Sequence, residues 1–327
     1  MIMRSRYSRQ TILPEFGEEG QAKLLSSSVL VVGAGGLGAP VLLYLAAAGV
    51  GRIGIVEGDA VDESNLQRQI LYRTHHTGSA KAEVAFNELV ALNPEISIQV
   101  FPDYLTKENA LSILREFDLI VDGSDNFATR YLVNDACVIL KKPFVYGAIY
   151  KFEGQVSVFN YQNGPTYRCL FPVPPDPSTV PNCSEIGVLG VLPGVIGTLQ
   201  ATEALKVLAG IGEVLSGTLL TYDALSMSFM KIKIPVVESN KQIQQLGDYD
   251  FSCDVLPVVT FSDLEYWKQH QVNFMWLDVR EISEYDNDNI GALNIPLSSL
   301  KNIRPSGPTS SSSGCVRPTA RISTLKR

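Results

Sequence analysis

Residues 29–69 carry the pattern that decides the fold: Val29-Leu30-Val31-Val32, then Gly33-Ala34-Gly35-Gly36-Leu37-Gly38, then an apolar, alanine-rich run from Ala39 to Gly49. Arg52-Ile53-Gly54-Ile55-Val56 follows and ends in Glu57, and the stretch closes on Ser64-Asn65-Leu66-Gln67-Arg68-Gln69. Four apolar residues before a glycine cluster predict a buried strand, and the run after it predicts a helix. In a strand–turn–helix unit the glycines let backbone approach a phosphate, while the N–H groups at the helix start supply partial positive charge. An acidic residue at the end of the second strand, about 20 residues beyond the turn, stands where a ribose hydroxyl is usually bound. Gly33, Gly35, Gly36, Gly38 and Glu57 are therefore candidate nucleotide-binding residues.

The glycine turn alone fits a hydride-transfer cofactor as well as ATP, or a tight turn with no ligand. The residues beyond it shift the balance. Arg68 and Lys81 suit the β- and γ-phosphates of a triphosphate, because both are cations with several donors. Asp125, at the end of a later strand, suits magnesium, a hard cation that prefers carboxylate oxygen. A hydride-transferring site has little use for that cationic pair, so ATP with magnesium is the expectation.

Composition bounds the rest. A chain of 327 residues can hold one large domain and a smaller one. Its net charge of −7 argues against a general nucleic-acid binder. No run of 18 or more apolar residues suggests a membrane span, and the polar start is unlike a secretory signal, so a cytoplasmic protein is expected. Five scattered cysteines do not form a disulfide framework in a reducing compartment.

Along the chain, Glu15–Ser26 reads as a short helix before the first strand, and Gly78–Asn93 as an amphipathic helix with Lys81 in its first turn. A lysine there opposes the helix dipole, so it is either solvated or set against a phosphate. Ile96–Phe101 and Phe117–Val121 read as buried strands, and Asp122-Gly123-Ser124-Asp125-Asn126 lies where open α/β sheets keep their ligands. Asn126 can equally serve only as the cap of the helix Phe127–Leu140, in which Cys137 reads as core. Pro143–Tyr150 and Gly154–Asn160 form a strand pair, and Gly194–Ala209 a helix. Between them a proline-laden loop ends in Pro181-Asn182-Cys183-Ser184-Glu185, placing Cys183 near a helix start that can favour thiolate. Gly217–Asp223 and Met227–Ile234 close the domain as strands.

The glycine turn together with Ser64-Asn65-Leu66-Gln67-Arg68-Gln69 resembles the adenylating enzymes that activate ubiquitin-like sulfur carriers, the MoeB/ThiF/HesA group. That group includes the molybdopterin-synthase and thiamine-carrier adenylyltransferases, and the likeness spans about residues 4 to 235 through several spaced motifs. It implies that ATP adenylates the C-terminal glycine carboxylate of a small β-grasp carrier ending in Gly-Gly, with release of pyrophosphate. Arg68, Lys81 and Gln69 would meet the nucleotide, and Asn65 would orient Arg68 or the phosphates. Arg6-Tyr7-Ser8-Arg9-Gln10 matches a segment that in the family crosses to the other subunit, so Arg9 is implied as a finger in trans and the protein as a homodimer. Cys183 is implied in persulfide or acyl-disulfide chemistry with the carrier, with a sulfur donor protein as a further partner.

Two family features are altered. The family's two Cys-x-x-Cys zinc pairs survive here only as Cys169 and Cys253, and two thiolates do not fill a closed tetrahedral site, so zinc is not expected. Met275-Trp276-Leu277-Asp278-Val279-Arg280 resembles the opening of a rhodanese domain, but the serine-rich end offers no packed persulfide loop, and Cys315 does not read as catalytic.

The expected fold is α/β: a doubly wound, mostly parallel Rossmann-like sheet with an antiparallel extension and a partial second domain. The expected boundaries are 1–237 for the adenylation domain, 238–257 for a linker, 258–300 for the rhodanese-like part and 301–327 for a disordered tail. The carrier is expected to be of the molybdopterin-synthase type, with the thiamine type as alternative. An NAD-dependent oxidoreductase and a non-catalytic scaffold binding a ubiquitin-like partner are the rival readings.

Overall fold

The computed structural model describes residues 5–174, 187–249 and, beyond them, 266–267, 269–270, 277–278, 281–287 and 293–296. The chain forms two compact units, Met1–Ser252 and Cys253–Arg327. The first opens with a helical turn α1 (Ser8–Thr11) and α2 (Gly17–Ser26), followed by β1 (Ser28–Val32), α3 (Gly38–Ala48) and β2 (Arg52–Val56). Next come α4 (Lys81–Leu92), β3 (Ser97–Phe101), α5 (Ala110–Arg115), β4 (Leu119–Asp122), α6 (Phe127–Leu140), β5 (Phe144–Tyr150) and β6 (Glu153–Phe159). The unit closes with α7 (Tyr167–Leu170), α8 (Leu192–Ala209), β7 (Thr218–Asp223) and β8 (Ser228–Lys233).

The strands make one eight-stranded sheet in the order β3-β2-β1-β4-β5-β6-β7-β8. β3, β2, β1, β4 and β5 run parallel, and β6, β7 and β8 add antiparallel. This is the expected mostly parallel α/β sheet with its antiparallel extension. Alternation along β1 shows how the core is divided: Val29 and Val31 join α3, α4 and α8 on one face, whereas Leu30 and Val32 join α5 and α6 on the other. Both layers are buried, so β1 has no polar face to show. The chain order reverses between β1 and β4, and the crevice at such a reversal is the usual ligand position in open α/β sheets.

Element ends differ from the sequence reading by small amounts. α8 starts at Leu192 rather than Gly194, because Pro193 falls in the first turn, where a missing N–H costs nothing. Residues 238–249 are polar in composition, yet Leu246 and Tyr249 pack against the α6 side of the core.

In the second unit β9 (Leu277–Asp278) pairs in parallel with β10 (Leu293–Asn294), with α9 (Ile282–Asn287) between them in the chain. Among the described residues no helix is long and apolar enough to cross a membrane.

Candidate active site

A cleft of about 830 Å³ opens at the carboxyl ends of β1, β2 and β4. This lies within the range of small-ligand sites. Its floor is the glycine turn. Gly33 has φ of +89°, a conformation that L side chains rarely adopt, and a Cβ at Gly38 would stand 1.9 Å from the Gly33 carbonyl oxygen. The turn is also tied from both sides. Ala34 N–H donates to Glu57 Oε2 at 2.8 Å, and the Tyr72 hydroxyl donates to the Ala34 carbonyl at 2.8 Å.

Glu57, only 8% exposed at the end of β2, accepts a second bond at Oε1 from Asp59 N–H at 2.9 Å. A carboxylate has about four acceptor positions, so about two remain for hydroxyl groups of a ligand. Lys81 is the first residue of α4 and is 4% exposed. Its ammonium lies 3.1 Å from Asp59 Oδ2. The Tyr104 hydroxyl donates to Asp59 Oδ1. Burial pushes the Asp59 carboxyl up, but the bonds from Tyr104 and Lys81 outweigh it and hold the group below its usual range. The same bond, with the charge of Asp59, pushes the Tyr104 phenol up to about 12.

Arg68 follows the short 3₁₀ turn Glu63–Asn65, and its guanidinium donates to the Ser64 carbonyl at 3.1 Å. The Asn65 carbonyl accepts the N–H groups of both Arg68 and Gln69. Gln69 is buried with its amide against Gly35, and its Oε1 has no hydrogen-bond partner among the described residues.

The opposite wall is the turn after β4. Asp122 Oδ1 accepts from Ser124 N–H at 3.0 Å and from Ser124 Oγ at 2.6 Å. Burial pushes the Asp122 carboxyl up, against the pull of the Arg130 charge and the Ser124 bonds. Arg130 donates to the Ser124 carbonyl at 3.2 Å, and Asn126 caps α6 by accepting from Thr129 N–H at 2.8 Å. Asp125, between those anchors, faces the cleft. Beyond it the cleft continues along β5 and β6 past Tyr146, Ala148, Tyr150, Lys151 and Gln155.

The structure thus gathers Gly33, Gly35, Gly36, Glu57, Asn65, Arg68, Gln69, Lys81 and Asp125 into one cavity. Gly38 lies behind it at the start of α3. Arg9 does not line it. Tyr7, two residues before Arg9, is buried against Gly49 at the other end of α3, and Arg9 itself is exposed. Cys183, Cys253 and Cys315 lie outside the described residues. Cys137 is buried in α6. Cys169 is buried too, its sulfur accepting the Thr166 and Val237 N–H groups at 3.4 Å each. Sequence reasoning placed Ser124 in the ligand-bearing turn without singling it out, and missed Asp59, Tyr104 and Arg130 as lining residues. Arg130 had a usable signal, since it lies one helical turn after the capping Asn126 and so on the same side as the cleft.

Among the described residues no cluster of three or more His, Cys, Asp or Glu gathers to hold an ion. Magnesium bound with a nucleotide needs only one or two carboxylates, the remaining ligands being phosphate and water. Asp125, in the cleft, fits that requirement.

Residues 7–243 match the ThiF family. The chain belongs to that family. A sulfur carrier protein adenylyltransferase of Thermus thermophilus is 57% identical over 259 residues, covering 76% of this chain and 96% of the relative. A probable adenylyltransferase/sulfurtransferase, MoeZ, of Mycobacterium tuberculosis is 47% identical over 310 residues, covering 90% of this chain and 79% of its own length. Among solved structures, Escherichia coli MccB in its crystal with MccA-N7isoAsn superposes with a TM-score of 0.65 at 21% identity, covering 73% of this ThiF-family chain and 74% of the other. MccB with ATP gives a TM-score of 0.63 at 22% identity and 72% coverage of each chain. At that identity the likeness shows the shared fold.

Proposed function

We propose that the protein adenylates the C-terminal glycine carboxylate of a small ubiquitin-like sulfur carrier, of the molybdopterin-synthase type. The observation that carries this reading is the convergence of a glycine turn, a buried carboxylate, two cations and Asp125 in one cleft. ATP would lie with its ribose hydroxyls on the free positions of Glu57 and its phosphates over Gly35 and Gly36. Arg68 and Lys81 would hold the β- and γ-phosphates, and Asp125 would hold the magnesium that offsets their charge. Asn65 and Gln69 border the same phosphates. The carrier carboxylate oxygen then forms a bond to the α-phosphorus as the bond to the β-phosphate oxygen breaks, and pyrophosphate leaves with the electron pair. The attacking group is already an anion, so positioning and charge stabilisation suffice and no general base is required.

The carrier's tail would enter past Tyr150 and Lys151, where the β5–β6 turn adjoins the β7–β8 turn: Ala224 N–H donates to the Phe152 carbonyl at 2.9 Å. Beside that mouth Leu225 and Met227 in the turn are exposed, as are Met230 and Ile232 on one face of β8, an apolar surface suited to the carrier's folded body.

Arg9 would serve the other protomer of a homodimer. α3 has 11 residues, so about 16 Å of helix separates the Tyr7 anchor from the glycine turn, too far for Arg9 to act in its own cleft. A second apolar surface, lined by Pro40, Leu43, Tyr44, Ile70, Val191 and Leu199, offers the contact for such a pair. Cys183 would serve the sulfur step that follows, with a donor protein supplying the sulfur. The site of action would be the cytoplasm.

The testing experiment is carrier-dependent exchange of labelled pyrophosphate into ATP, with a molybdopterin-type and a thiamine-type Gly-Gly carrier in parallel. Exchange with the molybdopterin-type carrier alone is the expected result. Exchange with the thiamine type alone would reassign the substrate. MgATP binding without exchange would favour a scaffold that binds a ubiquitin-like partner.

A further inference from the structure

Lys81 is buried at the first turn of α4, where the helix dipole presents its positive end. An ammonium in that place needs an anion beside it, and its four-carbon stem needs something to fix its direction. Asp59 does both. Its Oδ2 lies 3.1 Å from the Lys81 ammonium, and its main-chain carbonyl accepts the Lys81 N–H at 2.9 Å. Ala60 pairs with Ala80 in a short antiparallel bridge, and Val61 N–H donates to the Ser79 carbonyl at 2.8 Å. The backbone around Asp59 is thus strapped to the residues that start α4.

Asp59 is itself fixed from the nucleoside side. Its N–H donates to Glu57 Oε1, and its second carboxylate oxygen accepts the Tyr104 hydroxyl. Tyr104 is 59% exposed as a residue, yet its ring lies against Gly58, where a Cβ would come within 3.1 Å of ring carbons. With Asp103 and Leu105 it forms the cleft wall beyond β3. One carboxylate therefore joins the wall beside Glu57 to the lysine at the other end of the same half of the cleft.

We propose that Tyr104 and Asp59 are positioning residues for Lys81, so that the nucleoside wall of the cleft sets the grip on the phosphates. The proposal rests on the reading that Lys81 meets the β- and γ-phosphates of ATP. Tyr104 need not touch those phosphates to affect them. It holds Asp59, and Asp59 holds the ammonium.

Equilibrium binding of MgATP and of AMP, which lacks the β- and γ-phosphates, separates this from simple packing. Tyr104→Phe keeps the ring against Gly58 and removes only the hydroxyl. It should weaken MgATP about five- to ten-fold, the scale of one hydrogen bond, and AMP less than about two-fold. In a Lys81→Ala background the same change should cost MgATP nothing further, because the lysine being positioned is gone. Asp59→Asn, which keeps an acceptor but loses the charge, should weaken MgATP more than Tyr104→Phe does. Equal losses for MgATP and AMP, or an undiminished Tyr104→Phe effect without Lys81, would overturn the positioning role. Unaltered protein that binds no MgATP would overturn the ATP reading itself, and this inference with it. Melting temperatures of the variants within a few degrees of the unaltered protein would tie the binding losses to the site.

Discussion

The two ends of the cleft are built differently. At the nucleotide end the main charged groups are held before any ligand arrives: Glu57 by two backbone N–H groups, Lys81 by Asp59, Asp59 by Tyr104, and the Asp122–Asn126 turn by Ser124 and Arg130. At the other end Tyr150, Lys151 and Phe152 lead out to an open apolar surface on β8 and the turn before it. A small anionic ligand is best held by donors whose directions are fixed before it arrives, since little ordering then remains to be done on binding. A folded partner is held by apolar area, and its tail needs a path more than a set of bonds. The contrast predicts which substitutions act on which substrate.

The largest effect should come from the cations at the nucleotide end. Arg68→Ala should lower pyrophosphate exchange by about 10²- to 10³-fold, the scale of removing one preorganised donor from a developing charge. The melting temperature should stay within a few degrees, because Arg68 is half-buried and, among the described residues, its guanidinium bonds only to the Ser64 carbonyl. Retained exchange would remove the phosphate assignment and blur the difference between the two ends. Asp125→Asn should follow closely, with a loss of about 10²-fold that added magnesium partly restores. Stripping magnesium with a chelator should stop exchange in the unaltered protein, and a magnesium titration of both proteins checks the assignment.

At the open end the expected effects are smaller and fall on the other substrate. Met230 is 61% exposed on β8. Met230→Asp should raise the KM for the carrier about ten-fold while leaving MgATP binding unchanged, since a charge placed in an apolar contact must be desolvated. A change in MgATP affinity, or no change in carrier KM, would move the docking surface elsewhere on the molecule.

The nucleotide end was also the more legible part of the sequence, for a physical reason. The glycine turn, Glu57, Lys81 and Asp125 each sit at a strand end or helix start, so local spacing is enough to place them. Asp59 and Tyr104 were not legible, because the bond between them spans 45 residues and depends on β3 lying beside β2. Arg130 was hidden by the opposite fault: it reads as an ordinary helix residue, and only burial against the turn gives it a task. Arg9 could be singled out only through resemblance, since nothing in its own neighbourhood points to a phosphate. The strands were legible, β1, β2 and β4 as apolar runs and the later ones as alternating segments between turn residues, but β3 reads as buried and is only half-buried at the sheet edge. The polar residues 238–249 hid Tyr249, whose burial depends on a partner more than 100 positions away.

That partner supplies the last and smallest prediction. Asp135 in the middle of α6 accepts two bonds from the Arg168 guanidinium, at 2.7 and 2.8 Å, and a third from the Tyr249 hydroxyl at 2.7 Å. The Asp135 bond and charge hold the Arg168 guanidinium above its ordinary range, against the cost of burial. The cluster ties α7 and the segment after β8 to the helix whose first residues stand beside Asp125. Tyr249→Phe removes one donor and leaves Asp135 with the arginine, so it should cost about 1 kcal/mol of stability, read as a lower denaturant midpoint. If the order at the nucleotide end comes from its local bonds, the KM for ATP should not change. A raised KM would mean instead that α6 must be braced from its far side for Asp125 to be held in place, and that the rigidity of the nucleotide end is a property of the whole layer.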